Sequence, residues 1–521
     1  MMDATALLRL AAQRRLAGLA RLDPVDAQRA TLGRLLRRAA GTRFGRDHGF
    51  GGITSVSGYQ RAVRPRSYDD FWREYWAADF PVLRDVTWPG LIPRFAQSSG
   101  TTGGTTKRIP VSRAMIRANT GAGLDTMALH LAARPHSRVF GGANLLLGGS
   151  VGLERLAPGV TAGDLSGIAA DAMPWWAQRR AFPPRDLALI GDWERKIAAL
   201  APASLAADIR SVSGTPSWML LFFEELARLR PDRPRRLVAH YPNLELVVHG
   251  GVSFTPYRDS MAAWLEGSHA ETREVYAASE GFVAMADRGP GEGLRLVVDR
   301  GLFFEFVRPG ELGQDNPDRR WLGTAALGVE YALLLSSNAG LWSYVIGDTV
   351  VLTERDPPRL LITGRTAFTL SAFGEHLIAD ELDAATAEAA RALGGGVMDY
   401  AAGPLFPGEG RARGGHVFVV EMAPDPETAD AEARFAAVLD AALARGNADY
   451  AEHRAGDFGM LPPEIRLVPP GSFAAWMRRR GKLGGQNKVP RVINDPALLA
   501  DLLSFTEPSH RGASRNRGPA G

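Results

Sequence analysis

Ser98-Ser99-Gly100-Thr101-Thr102-Gly103-Gly104-Thr105-Thr106-Lys107-Arg108-Ile109-Pro110 is a run of hydroxyls, glycines and one lysine with almost nothing to bury. Glycines let the backbone approach a ligand closely. Backbone N–H groups and hydroxyls can then surround phosphate oxygens, with the lysine as a point charge. A Walker A loop is excluded, because Lys107 stands between Thr106 and Arg108 and not before a Ser or Thr at the required spacing. The competing reading, a flexible linker, rests on composition alone. Lysine usage bears on that choice. The chain has only four lysines, Lys107, Lys196, Lys482 and Lys488, against a large excess of arginine, and three of them lie in or beside glycine-rich stretches. A compact, flexible ammonium is not interchangeable with a guanidinium.

The 521 residues call for two or more domains. Apolar content of 45% and charged content of 23% are ordinary for a globular protein. With no cysteine there is no disulfide, no cysteine metal site and no thiolate nucleophile. The net charge of +4 is spread along the chain, which argues against a nucleic-acid partner. No apolar run is long enough for a membrane span and the N-terminus lacks a signal-peptide pattern, so a cytoplasmic protein with no membrane partner is expected.

Periodicity gives amphipathic helices over 1–40, with Leu32, Leu35 and Leu36 opposite Arg34, Arg37 and Arg38. A helix is expected over 111–131 and a buried strand or hairpin over 139–147. Residues 151–185 read as surface loops or a substrate-facing insertion, and 211–229 as a loop leading into a helix. Strands are expected at 244–248, 273–276, 294–298, 303–307, 331–336, 341–345 and 350–353, with Asp348 at a strand end. The order describes a large N-terminal α/β domain with an attached β-barrel-like element, then a smaller α+β domain. The expected boundaries are 1–363, with 1–90 a helical extension, a hinge at 364–367, a C-terminal domain over 368–506 and a disordered tail over 507–521.

Five segments fall in order: the 98–110 loop, PNLELVVHGGVSFTPYR (242–258), VYAASEGFVA (275–284), YVIGDTV (344–350), and GRT with AFGEHL (364–377) followed by GGQNKVPR (484–491). Together they resemble the GH3 family of acyl acid amido synthetases, its bacterial branch in particular, within the adenylate-forming class. The resemblance implies a large domain and a small mobile lid with the site between them. It implies use of ATP and Mg²⁺ to join a carboxylic acid to AMP, then transfer of the acyl group to an amino acid or amine. An acyl-CoA ligase and a catalytically silent nucleotide-binding protein stay open as alternatives, as does the oligomeric state.

By the same resemblance, Ser99, Thr101, Thr102 and Lys107 would hold phosphates, and Lys107 would neutralise the β- and γ-phosphates. Glu280 would hold Mg²⁺, although a glutamate at a helix start is also consistent with its position. Tyr276 and Ser279 would line the nucleotide. Asp348 would bind the ribose diol, since a carboxylate accepts two hydrogen bonds, and Arg365 would be the hinge arginine touching the ribose. Lys488, in a stretch from Trp476 to Arg491 with six basic and no acidic residues, would close over the α-phosphate; a solvated basic face is the other reading. Met127, Ser213, Trp218, His249, Gly250 and Gly251 are the candidates for the acyl pocket. Many adenylate-forming relatives carry a second lysine near Thr105, and family relatives often have charged residues at 367–368, where this chain has Thr105, Ala367 and Phe368.

Overall fold

A computed structural model describes residues 3–98, 107–148, 152–190, 193–251, 254, 257–314, 316–366, 369–375, 377–408, 413–423, 430–480 and 489–506. The chain divides into two compact units, the first made of residues 1–98 and 107–366 and the second holding everything from 367 onward.

The first unit contains strands β1 (Arg94–Ser98), β2 (Lys107–Val111), β3 (Ala143–Leu146), β4 (Glu154–Ala157), β5 (Val160–Gly163), β6 (Ala181–Phe182), β7 (Ile209–Gly214) and β8 (Leu246–Gly250). These are followed by β9 (Glu271–Ala278), β10 (Gly281–Met285), β11 (Leu294–Leu296), β12 (Leu302–Val307), β13 (Arg320–Trp321), β14 (Glu330–Ser337), β15 (Tyr344–Arg355) and β16 (Pro358–Arg365). Twelve of them form one sheet in the order β13-β12-β14-β15-β16-β11-β10-β9-β8-β7-β3-β6. From β6 to β9 the pairs are parallel, and from β9 to β13 they are antiparallel. The strand-rich block is therefore continuous with the α/β part. Strands β2, β1, β5 and β4 make a second, four-stranded sheet.

Helix Pro24–Ala39 has the amphipathic character read from its leucines: Leu32, Leu35 and Leu36 are buried, while Arg34, Arg37 and Arg38 are exposed. Each buried leucine contributes about 2 kcal/mol. Gln28 fixes the helix on the sheet by donating to the carbonyls of Val298 (2.9 Å) and Leu302 (2.8 Å) while accepting from the Phe304 N–H (2.9 Å). A buried amide satisfied on both its atoms fixes register as well as position. Beneath lies an aromatic core that includes Phe44, Tyr59, Phe71, Trp76, Phe303 and Trp342.

Several expectations are corrected. Residues 151–185 hold β4, β5, β6 and helix Leu165–Asp171; strands this short carry too few alternations to be seen in a sequence. Residues 209–214 are a strand leading into helix Pro216–Leu229. The strands expected at 341–345 and 350–353 are largely one strand, β15, interrupted in its pairing with β14 by a register shift. Asp348 lies inside that strand, next to Gly347 at φ +97°. A bulge bends a strand and re-aims a side chain, and the glycine makes the conformation accessible.

In the second unit, β19 (Gly396–Leu405), β20 (Gly415–Ala423) and β21 (Glu464–Val468) follow the short pair β17 (Thr369–Leu370) and β18 (Leu377–Ile378). The three-stranded sheet is covered on both faces. Phe418 and Val420 share a core with Leu382 and Phe435, whereas Val417 and Val419 share another with Trp476 and Leu499. This is the period-two alternation of a strand buried on both sides. Glu375 of the AFGEHL segment accepts from the N–H groups of Ala372 (3.0 Å) and Phe373 (2.7 Å) and contacts His416 Nε2 at 2.8 Å. Residues 507–521 lie outside the described residues. Among the described residues no helix is long and apolar enough to cross a membrane.

Candidate active site

Within the first unit, three distant segments bring their polar side chains together. In the β15–β16 ladder Asp348 stands directly opposite Arg365. The Arg365 Nε donates to Asp348 Oδ1 at 2.7 Å, with 32% of the arginine and 13% of the aspartate side chain exposed. The hydroxyl of Tyr276, from the end of β9, donates to the other oxygen, Oδ2. Burial, and then the Asp348 charge, hold the Tyr276 hydroxyl far above its usual range, so it is a permanent donor. Each carboxylate oxygen keeps a further acceptor site, as a diol needs.

Glu280 occupies the two-residue turn between β9 and β10, beside Ser279, and is only 8% exposed. Burial raises its pKa above the ordinary 4.5, opposed by Lys107 and by a hydrogen bond from the Tyr344 hydroxyl. Lys107 opens β2, opposite Ser98. Its pKa lies below the ordinary 10.5, first through burial and then through Arg365, against the pull of Glu280. Its Nζ sits 5.6 Å from the centre of the Tyr68 ring, and the Tyr68 hydroxyl accepts from the Arg108 N–H at 3.0 Å.

Lys107, Tyr276, Glu280, Asp348 and Arg365 thus form one electrostatically connected group. Ser99, Thr101, Thr102 and Lys488 lie outside the described residues, as do Thr105, Ala367 and Phe368. Within the basic stretch around Lys488, Arg479 and Arg480 both face Asp501, so two of its charges are already partnered. Lys196, the lysine away from the glycine-rich segments, is buried and donates to the Gly148 carbonyl at 3.0 Å.

Ser213 and the His249-Gly250 pair lie at the carboxyl ends of parallel strands β7 and β8, where ligands bind in open α/β sheets. At Gly250 a Cβ would fall 2.2 Å from the Val275 carbonyl oxygen, so the close approach of β8 to β9 requires glycine. Gly251 turns the chain at φ +86°. His249 stacks on Phe254 at 3.8 Å, and burial lowers its pKa to about 3. It is neutral at working pH. Trp218 is buried in the first turn of helix Pro216–Leu229, and Met127 packs against the cluster that contains Leu246 and Val248.

Tyr344 and Tyr68 were not among the residues singled out from sequence. Tyr344 could have been: it opens the same YVIGDTV segment, four residues before Asp348. Tyr68 lies far from every motif, and nothing in its surroundings marks it.

A magnesium ion is a hard cation, usually held by one or two carboxylates together with phosphate oxygens. No cluster of three metal-ligating residues exists among the described residues. A single buried carboxylate with a raised pKa, facing a lysine, fits an ion completed by substrate phosphates rather than a resident structural metal.

The site thus joins, on an α/β sheet, a carboxylate with free acceptor positions, a partly buried lysine and a second, buried carboxylate. Family models match residues 19–145 (GH3 family N-terminal domain), 295–365 (central domain) and 380–497 (C-terminal domain), together more than half of the chain. The chain belongs to the GH3 family. It is 29% identical over 259 residues to the indole-3-acetic acid-amido synthetase GH3.8 of Oryza sativa subsp. indica, a match spanning 45% of this chain and 41% of that protein. A probable indole-3-acetic acid-amido synthetase, GH3.9 of Oryza sativa subsp. japonica, is 29% identical over 250 residues, 44% of this chain and 55% of the relative. The chain spans about half the length of these curated relatives. The fold resembles that of the GH3.15 acyl acid amido synthetase, with TM-score 0.58, 17% identity and 95% of each chain covered. It also resembles 2-hydroxyisobutyryl-CoA ligase, with TM-score 0.56, 18% identity and 92% of each chain covered.

Proposed function

We propose that this chain is an ATP-dependent acyl-adenylating ligase that forms an amide from a carboxylic acid and an amino acid or amine. The carrying observation is the connected group Asp348–Arg365–Tyr276 beside Lys107–Glu280. One half accepts from a diol; the other pairs a cation with a carboxylate suited to a phosphate-bound divalent ion. The names of the GH3 relatives support the reading.

Asp348 receives the ribose hydroxyls, held in place by Arg365 and Tyr276. Lys107 places its ammonium against the β- and γ-phosphates, and the negative phosphates restore the proton affinity that burial takes from it. Glu280 would hold Mg²⁺ together with the phosphate oxygens, and the bound ion would supply neutralisation of the charge that repels an incoming carboxylate. A carboxylate oxygen attacks the α-phosphorus, the bond from that phosphorus to the bridging oxygen breaks, and pyrophosphate leaves. The amine nitrogen then attacks the acyl carbon, loses its proton, and AMP leaves. Lys488 is assigned the cation that covers the α-phosphate in the first step, and Ser99, Thr101 and Thr102 the phosphate-loop donors. Ser213 and the His249-Gly250-Gly251 turn border the acyl group, with Met127 and Trp218 behind them. We place the reaction in the cytoplasm, where ATP is supplied.

Product analysis tests the reading. Protein, ATP, Mg²⁺ and a panel of aromatic, indole and aliphatic acids are incubated with amino acids, with amines or with CoA. An amide, with AMP released in equal amount, supports the proposal. A thioester as the sole product, or ADP in place of AMP, overturns it.

A further inference from the structure

A second site lies in the first unit, away from this chemistry. A cleft of about 830 Å³ is bordered by Arg34 and Arg38 of helix Pro24–Ala39, by Arg84, and by Arg113 and Arg117 of helix Arg113–Ala133. That volume is within the usual range for small-molecule sites. Among the described residues the only carboxylate on its wall, Asp299, is already held by Arg15 at 2.7 Å. Among the described residues Arg38, Arg84, Arg113 and Arg117 have no ion-pair partner, and Arg34 donates only to Thr31 Oγ1 at 2.8 Å. Exposed arginines elsewhere in this unit commonly do pair, as Arg43 does with Asp79, Arg228 with Glu225 and Arg235 with Glu224. In a chain of net charge only +4, five converging arginines are a local concentration of positive charge.

Two further features point to a ligand. The long helix Arg113–Ala133 starts at the cleft, and its dipole adds to the positive potential there. Its cap is already satisfied by Ser112 Oγ, which accepts from Ala114 and Met115, so the helix supplies field rather than free N–H groups. The second feature is Asn338, which lines the cleft at 9% exposure; its buried Oδ1, an acceptor with no hydrogen-bond partner, suits a hydroxyl donor of the ligand and not a phosphate oxygen. Buried polar atoms are rarely left without one. Trp88 adds a largely buried aromatic wall. Ser112 follows β2, so the cleft lies at the far end of that strand from Lys107, about 15 Å along the chain direction.

We propose that this cleft binds a small phosphorylated polyanion at a site separate from the nucleotide site. Concavity and size favour a small molecule over a flat polymer. Planar guanidiniums on both walls suit phosphate oxygens, which they can bind in a bidentate manner. The proposal does not depend on the reaction assigned above.

Inorganic tripolyphosphate is the probe, followed by isothermal titration without divalent ions. Lys107→Ala removes the competing phosphate contact of the nucleotide site. That variant is expected to keep one tripolyphosphate site, weakened as salt rises. Adding Arg38→Gln and Arg117→Gln should weaken binding roughly tenfold or more, with ATP-dependent activity in the Lys107-containing background unchanged. Both arginines are exposed, so the fold should survive; Arg84→Gln, on another segment, is an independent variant expected to weaken binding as well. No binding by Lys107→Ala, or equal binding with and without the arginines, overturns the proposal. So does binding confined to poly(U) RNA or to phosphatidylcholine–phosphatidylserine vesicles with none to tripolyphosphate.

Discussion

Asp348→Asn isolates the ribose contact with little change in shape. Asp348 takes hydrogen bonds from Arg365 and Tyr276 and remains 13% exposed, so it is sheltered but reachable. Hydrogen bonds to a charged group contribute about 1.5–3 kcal/mol each. For two ribose hydroxyls at the lower end, about 3 kcal/mol is expected, or about 150-fold. The asparagine keeps one acceptor and no charge, leaving about 1 kcal/mol, or about fivefold. The assay compares kcat/KM for ATP and for 2′,3′-dideoxy-ATP in both proteins. The native protein should discriminate by about 150-fold and the variant by less than about tenfold, with circular dichroism confirming that the variant folds. Because the analogue cannot use the contact, a general loss of stability would lower both substrates alike. Undiminished discrimination in Asp348→Asn would refute the ribose assignment.

The pH profile of kcat/KM should be a bell narrower than free side chains would give. Activity falls in acid as Glu280 takes up a proton, at a pH above the ordinary 4.5, and in base as Lys107 loses one, below the ordinary 10.5. Glu280→Gln should remove the acid limb along with most activity, and a wild-type profile flat down to pH 4.5 would contradict the burial argument. No limb should arise from His249, whose pKa near 3 keeps it neutral; His249→Gln should leave the shape between pH 6 and pH 8 unchanged even where the rate drops. Gly250→Ala sets a methyl group 2.2 Å from the Val275 carbonyl oxygen, and thermal melting should show a loss of about 2–4 kcal/mol. An unchanged melting temperature would mean that β8 and β9 separate easily. Gln28→Leu strands two carbonyls and one N–H in the core and should cost about 2–4 kcal/mol by chemical denaturation.

The parts of the fold with long periodic patterns were legible. Leu32, Leu35 and Leu36 disclosed the N-terminal helix, and the apolar runs of β8, β12 and β14 disclosed buried strands. Short strands such as β4 and β5 were not, since the pairing of β5 with β1 and of β4 with β5 is a tertiary fact. Lys107, Glu280, Asp348 and Arg365 were singled out one by one through the family resemblance; that the fold brings them together could not be read from it. The bulge at Gly347 and the cross-strand pairing of Asp348 with Arg365 exist only once the sheet forms. The arginine cleft was invisible because Arg34, Arg84 and Arg113 are far apart in sequence and share no motif.

The most direct measurement is carboxylate-dependent exchange of labelled pyrophosphate into ATP, run with Mg²⁺ in the native protein and in Lys107→Ala. Reversible formation of an acyl-AMP should give exchange that requires both a carboxylic acid and Lys107. Exchange that needs no acid, or none with any acid of a broad panel although ATP binds, would contradict the account.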